Sequence, residues 1–296
     1  MPLIPILNIE QFENEESLND FYSNRLGPHL SKNKDLVYVP HRHDFFLCVV
    51  FSKGTGSHEI DFVTYPVLSG SVFFLKPGQT HSWKFEHDPE GYIFFHTQDF
   101  FEFTFSNAKL IQFPFYYSYE NPPNLQLSTD TLEPVISRFK EINDEYHKMD
   151  PFKQQKLSSL IHLTYIDLTR LYATSESQGT EVSSTYLNAL RHLEILVQEF
   201  YRTEKSPAFY AEKLNITTKH LNRITKSTLS KTSSELITER VLLEAKRLLV
   251  HSESPLAAIA EILGYDDYAY FSRIFKLKTK STPSEFRNHY RSMRSF

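Results

Sequence analysis

The chain has 296 residues, of which 40% are apolar and 23% charged, with 8 glycines and 15 prolines; this globular composition excludes a collagen-like, disordered or linker-dominated protein, and the length calls for two domains rather than one. The net charge of −4 is unevenly held: residues 1–185 carry 14 Lys and Arg against 24 Asp and Glu, whereas residues 186–296 carry 18 against 12. A polyanionic partner is therefore expected to face the C-terminal part alone.

The longest strongly apolar runs, at 45–51 and 72–75, fall far short of the ~20 residues a membrane helix needs, so no membrane association is expected. The first ten residues show no basic stretch ahead of an apolar one, so no secretory signal is expected either. A single cysteine, Cys48, permits no internal disulfide and suits a reducing cytoplasm.

Between residues 36 and 113, short β-branched and aromatic runs at 36–39, 45–52, 57–63, 72–76, 81–86 and 92–96 are separated by turn residues such as Gly54-Thr55-Gly56, Ser69-Gly70 and Pro77-Gly78. Their spacing predicts an all-β sandwich or barrel. The region is rich in rings: 19 of 25 Phe, 10 of 17 Tyr and the only Trp precede residue 186. An aromatic-lined barrel is suited to enclosing a small organic ligand. Cys48, in an apolar strand, reads as inert core.

Two helices are then predicted, at 131–149 and 152–172, split by Asp150-Pro151. The second carries Leu157, Leu160, Ile161, Thr164, Leu168 and Leu171 at three-and-four spacing. Residues 173–185 lack apolar periodicity and read as a linker.

From Tyr186 onward the pattern is helical. Ser206-Pro207, Ser254-Pro255 and Thr282-Pro283 each put a capping hydroxyl ahead of a first-turn proline, and Thr282 with Glu285 spells a capping box. In residues 207–226, Ala211 permits a close helix crossing, Asn215 four residues on suits a left-handed turn, and Leu221 and Ile224 pack the following helix. The same spacing recurs in residues 255–276, with Ala260, Gly264, Phe271 and Phe275 and a loop one residue longer. Two helix-turn-helix units are predicted, joined by one amphipathic helix over 234–252.

The segment from Gly264 through Tyr265-Asp266-Asp267-Tyr268 and Phe271-Ser272-Arg273 to Pro283-Ser284-Glu285-Phe286-Arg287 resembles the signature of the AraC/XylS family of transcription regulators. The departures are Ser230 and Lys280 at places where the family usually has glycine, and Thr225 in place of an aromatic residue. The resemblance implies a sequence-specific regulator that is not an enzyme and that binds double-stranded DNA. Lys219, Asn222 and Arg223 in the first unit, and Ala269, Tyr270 and Arg273 in the second, would then read bases. Arg suits guanine, Asn adenine, and Ala or an aromatic ring a thymine methyl. Lys226, Lys276 and Lys278 suit phosphates.

Pro40-His41-Arg42-His43, Gly54 and Pro77-Gly78-Gln79-Thr80-His81 resemble the two motifs of a cupin jelly roll. Leu47 stands where a metal-binding cupin has its glutamate, so neither a metal nor another cofactor is expected, and His41, His43, His81 and Trp83 are expected at the barrel mouth as effector contacts. The resemblance also implies a homodimer seam of Leu157, Leu160, Ile161 and Leu168, although the same residues would equally seal the helical hairpin onto the barrel. RNA polymerase is a further implied partner. The domains expected are a cupin-like effector-binding and dimerisation domain at 1–172, a linker at 173–185 and an all-α DNA-binding domain at 186–296. The alternative is a metal-dependent cupin enzyme fused to a DNA-binding domain.

Overall fold

The computed structural model describes residues 5–12, 20–104, 110–117, 121–175 and 184–294. They fall into two compact units, one within residues 5–178 and the other within 179–296.

In the first unit, β1 (Ile6–Leu7) pairs in parallel with β3 (Arg42–His43), while the other strands form two antiparallel sheets. The larger joins β2 (Phe21–Arg25), β4 (Phe46–Lys53), β7 (Ser71–Leu75), β9 (Glu90–His96) and β10 (Asn124–Gln126) in the order β10-β7-β4-β9-β2. The smaller joins β5 (Gly56–Ile60), β6 (Val63–Val67) and β8 (His81–Phe85) in the order β6-β5-β8. The helices of this unit are α1 (Leu26–Lys32), α2 (Lys34–Val37), α3 (Gln98–Thr104), α4 (Pro114–Tyr117), α5 (Thr129–Tyr146) and α6 (Lys153–Ser175).

β4 is buried at every position from Phe46 to Phe51 because both its faces are covered. Cys48 is in register with Phe74 and Phe94, and the Phe94 ring meets Phe139 of α5 at 5.1 Å and Tyr165 of α6 at 6.0 Å. On the opposite face Phe51 and Phe73 meet Trp83 of β8 at 5.6 and 5.9 Å. A continuous apolar run is what a central strand covered on both sides requires, and the area it removes from water is the main source of this unit's stability.

Three expectations are corrected here. Residues 36–39 form no strand; α2 ends at Val37. The run at 57–63 is two strands, because Asp61 and Phe62 take φ of 48° and 72° in a two-residue turn that pairs Ile60 with Val63; left-handed conformation at both central positions gives the twist a hairpin needs. Third, the dimer-seam expectation for Leu157, Leu160, Ile161 and Leu168 gives way to its stated alternative, sealing the hairpin onto the sheets: all four lie in the unit's own core, at 7% exposure or less. α6 closes the sandwich from outside, and its periodicity records that packing.

α6 runs on to Ser175 and α7 (Ser184–Phe200) begins at Ser184, so the expected linker is helical at both ends. Its residues 176–183 lie outside the described residues.

The second unit continues with α8 (Pro207–Lys213), α9 (Thr218–Leu229), α10 (Ser233–His251), α11 (Leu256–Ile262), α12 (Tyr268–Thr279) and α13 (Pro283–Arg294). Ser206 caps α8 by accepting from the Ala208 N–H, and Thr282 with Glu285 closes the predicted capping box at α13. Ser254 does not cap α11. Its carbonyl instead accepts from Arg287, which also donates to the Leu249 carbonyl and so ties α13 to the end of α10. Along α10, Leu236, Ile237, Val241, Ala245, Leu248 and Leu249 are buried. Glu244, also buried there, sits 3.2 Å from Arg247, 3.5 Å from Arg240 and 3.8 Å from Arg202. One carboxylate thus offsets the desolvation of neighbouring guanidinium groups in the middle of the unit.

Candidate nucleic-acid interface and sandwich interior

The two helix pairs share their turn chemistry. After α8, the Asn215 N–H donates to the Glu212 carbonyl and the Ile216 N–H to Ala211; after α11, the Gly264 N–H donates to Glu261 and the Tyr265 N–H to Ala260. Asn215 and Gly264 take φ of 54° and 73°. Leu221 and Ile224 of α9, and Phe271 and Phe275 of α12, are buried under the pair they belong to. Thr225 is buried as well, and its hydroxyl donates to the Asn222 carbonyl. α9 and α12 end on left-handed Ser230 and Lys280, with φ of 56° and 67°, so the two departures from glycine keep the exit geometry that glycine favours.

The buried stripes turn the opposite faces outward. Lys219, Arg223 and Lys226 are exposed on α9; Ala269, Tyr270, Arg273, Lys276 and Lys278 are exposed on α12. Lys226 and Lys278 also lie near Glu235 at the start of α10, whose carboxyl is held below its usual range first by hydrogen bonds from Thr232 and then by these two charges. Asn222 is engaged elsewhere. Its Oδ1 accepts from the Ser233 N–H at 3.0 Å and the Ser233 hydroxyl at 2.9 Å, which uses the acceptor that pairing with adenine requires. Asn222 ties α9 to the start of α10, and its expected role in base reading is corrected accordingly. The tie joins residues eleven positions apart on two successive helices, which helical spacing does not mark. Exposed Leu277, also on α12, was not anticipated as part of this surface.

In the first unit, His41, His43, His81 and Trp83 are drawn together, but inside the sandwich and 4% exposed or less. The expected place at an open mouth is therefore corrected to the interior. A fourth histidine, His58, joins them: its Nε2 lies 2.9 Å from His81 Nδ1, and its ring stacks on Trp83 at 3.4 Å. His58 belongs to neither cupin-like motif, yet alternation along β5 turns it inward with Ile60. The His41 and His43 Nδ1 atoms lie 2.8 Å from the carbonyls of Val39 and Phe45, to which they donate.

Burial, followed by the neighbouring imidazoles, holds His43 down to about 3 and His58 and His81 well below the ordinary histidine range; burial lowers His41 too. Burial thus favours the uncharged form of each of these rings. Three of its nitrogens, His43 Nε2, His58 Nδ1 and His81 Nε2, are buried without a hydrogen-bond partner. Among the described residues no three His, Cys, Asp or Glu side chains are placed to hold an ion.

Comparison with known proteins agrees with this division. Residues 29–105 match the model of the AraC-like ligand binding domain and residues 210–289 that of a helix-turn-helix domain, together more than half the chain. Relatives include the transcriptional activator RhaR of Mannheimia succiniciproducens, 23% identical over 84% of this chain and 87% of its own length, and RhaS of Escherichia coli, 23% identical over 84% and 87%. Among solved structures, the C-terminal domain of the response regulator AraT from Geobacillus stearothermophilus is 28% identical over 37% of this chain and 88% of its own, with a TM-score of 0.33. ToxT from Vibrio cholerae is 15% identical over 90% and 98%, with a TM-score of 0.43.

An antiparallel two-sheet unit with an enclosed polar cluster, followed by a helical unit that presents two recognition helices, defines a ligand-responsive transcription regulator. The chain belongs to the AraC/XylS family. No helix among the described residues is long and apolar enough to cross a membrane.

Proposed function

We propose that α9 and α12 enter two successive major-groove segments of double-stranded DNA, and that a small organic effector enters the interior of the sandwich. The observation that carries the first half is the repeated turn, which puts Arg223 and Arg273 outward on two helices of matching construction. Lys219, Arg223, Ala269, Tyr270 and Arg273 read bases, while Lys226, Lys276 and Lys278 hold phosphates. The second half is supported by the three buried imidazole nitrogens without partners, since a buried polar atom is costly until something bonds it. His43, His58 and His81 would bond an uncharged polar group, with His41 beside them and Trp83 as the stacking surface.

We assign this interior to binding rather than catalysis, in keeping with the match of residues 29–105 to a ligand-binding domain and with relatives that are transcription activators. A sensing domain up to residue 172 and a DNA-binding domain from 186 follow from the same division of labour. The regulator works in the cytoplasm, with RNA polymerase as its protein partner. A homodimer would use the outward side of the hairpin, where Met149, Phe152 and Leu163 are exposed.

The test is selection of bound sequences from a random DNA pool at fixed salt, with the natural chain and with Arg223→Ala and Arg273→Ala. Two segments about one helical turn apart are expected, each substitution relaxing a different one by ~1–3 kcal/mol. A motif that both substitutions leave intact overturns the assignment of the readers.

A further inference from the structure

Resting on the reading of Arg223 as a base contact, a second question is what holds its guanidinium in place before DNA arrives. Arg223 Nη2 lies 2.5 Å from Nδ1 of His220, three residues earlier on α9. The guanidinium carbon is 5.9 Å from the Tyr186 ring of α7, and the Tyr186 and His220 rings meet edge-on at 5.8 Å and 88°. Arginine only donates, so the Nδ1 of His220 is the acceptor and its ring proton sits on Nε2. Two elements thus converge on one side chain: an imidazole lone pair from the helix that carries it and an aromatic face from the helix behind.

The second unit is built differently. The residue three before Arg273 is Tyr270, whose ring lies 6.0 Å from the Arg273 guanidinium carbon and supplies no imidazole acceptor.

We infer that His220, backed by Tyr186, is a positioning residue that presets Arg223 for base reading, and that the second unit lacks this device. A preset side chain loses less freedom on binding and tolerates fewer alternative bases, so the first segment is read with the sharper discrimination.

The experiment measures competition binding by the full chain between its selected duplex and single-base variants of it, over a range of salt concentrations. The variants are His220→Ala, His220→Gln, Tyr186→Phe and Arg223→Ala, with thermal melting as the folding control. His220→Ala is expected to lower discrimination at the Arg223 base by about 3- to 10-fold, with the second segment, the salt slope and the melting temperature unchanged. His220→Gln, whose amide oxygen accepts, restores it, and Tyr186→Phe, which keeps the ring, leaves it intact. Full discrimination in His220→Ala alongside loss in Arg223→Ala overturns the inference and leaves the reading of Arg223 standing. Retained discrimination in Arg223→Ala overturns that reading itself. A uniform loss of affinity with a shallower salt slope in His220→Ala marks a phosphate contact and also overturns the inference.

Discussion

At the scale of single residues, Gly264 is the most constrained position of the second helix-turn-helix. Its φ is +73°, and a Cβ there would stand 1.8 Å from the Arg202 carbonyl oxygen, a backbone atom with nowhere to go. The same carbonyl accepts from Lys205, whose ammonium also donates to the Gly264 carbonyl and lies over the Tyr265 ring. Gly264→Ala therefore meets a clash and a left-handed backbone together, and is expected to destabilise the chain by at least ~2 kcal/mol, read as a lower melting temperature. The first unit puts Asn215 in the equivalent turn, which shows that the left-handed conformation alone does not demand glycine; the close approach of Arg202 does. Sequence spacing marked Gly264 as a turn residue, but the approach of a backbone some sixty positions earlier leaves no trace in local pattern.

At the scale of elements, α6 shows what periodicity says and omits. Leucines at three-and-four spacing identify a buried stripe without naming the surface that buries it. Leu168 is fully buried in its own unit, while Leu163, on the other side of the helix, is 48% exposed. Leu168→Ala is expected to cost about 2–5 kcal/mol of folding stability, and Leu163→Lys less than ~0.5 kcal/mol; paired denaturant titrations check both. Equal effects would contradict the packing described. β4 is the converse case. Its unbroken apolar run marks a strand, and the structure adds the reason it is unbroken, with α5 and α6 on one side and the smaller sheet on the other. The paired helix-turn-helix units were legible for a related reason, since the turn and packing residues of each lie within fifteen positions of one another. His58 was not, because its partners His81 and Trp83 are brought to it only by the pairing of β5 with β8.

At the scale of the whole molecule, buried histidines of the sandwich unit shape the response between pH 7 and pH 5. Burial is the main force that holds His29 and His43 down to about 3 and His96 down to about 4. All three belong to the sandwich unit. Once unfolded they regain the ordinary value near 6.5, so below that pH the unfolded chain binds protons that the folded chain refuses. Their contribution is complete above about pH 6.5 and falls by about 1.4 kcal/mol per pH unit for each group as the pH drops toward 4. Calorimetry is expected to show the sandwich transition moving to lower temperature from pH 7 to pH 5, and His43→Leu to flatten that dependence. A profile indifferent to pH would contradict the burial of these rings.

The stacking of Trp83 on His58 has a practical consequence. Trp83 is the only indole in the chain, and a ring 3.4 Å away covers one of its faces. Light absorbed at the red edge of the protein spectrum therefore excites a single place, the interior of the sandwich. A guest that parts the two rings changes the emission of the entire protein, so a library of small molecules can be screened on the unlabelled, unmodified chain with nothing more than a fluorimeter.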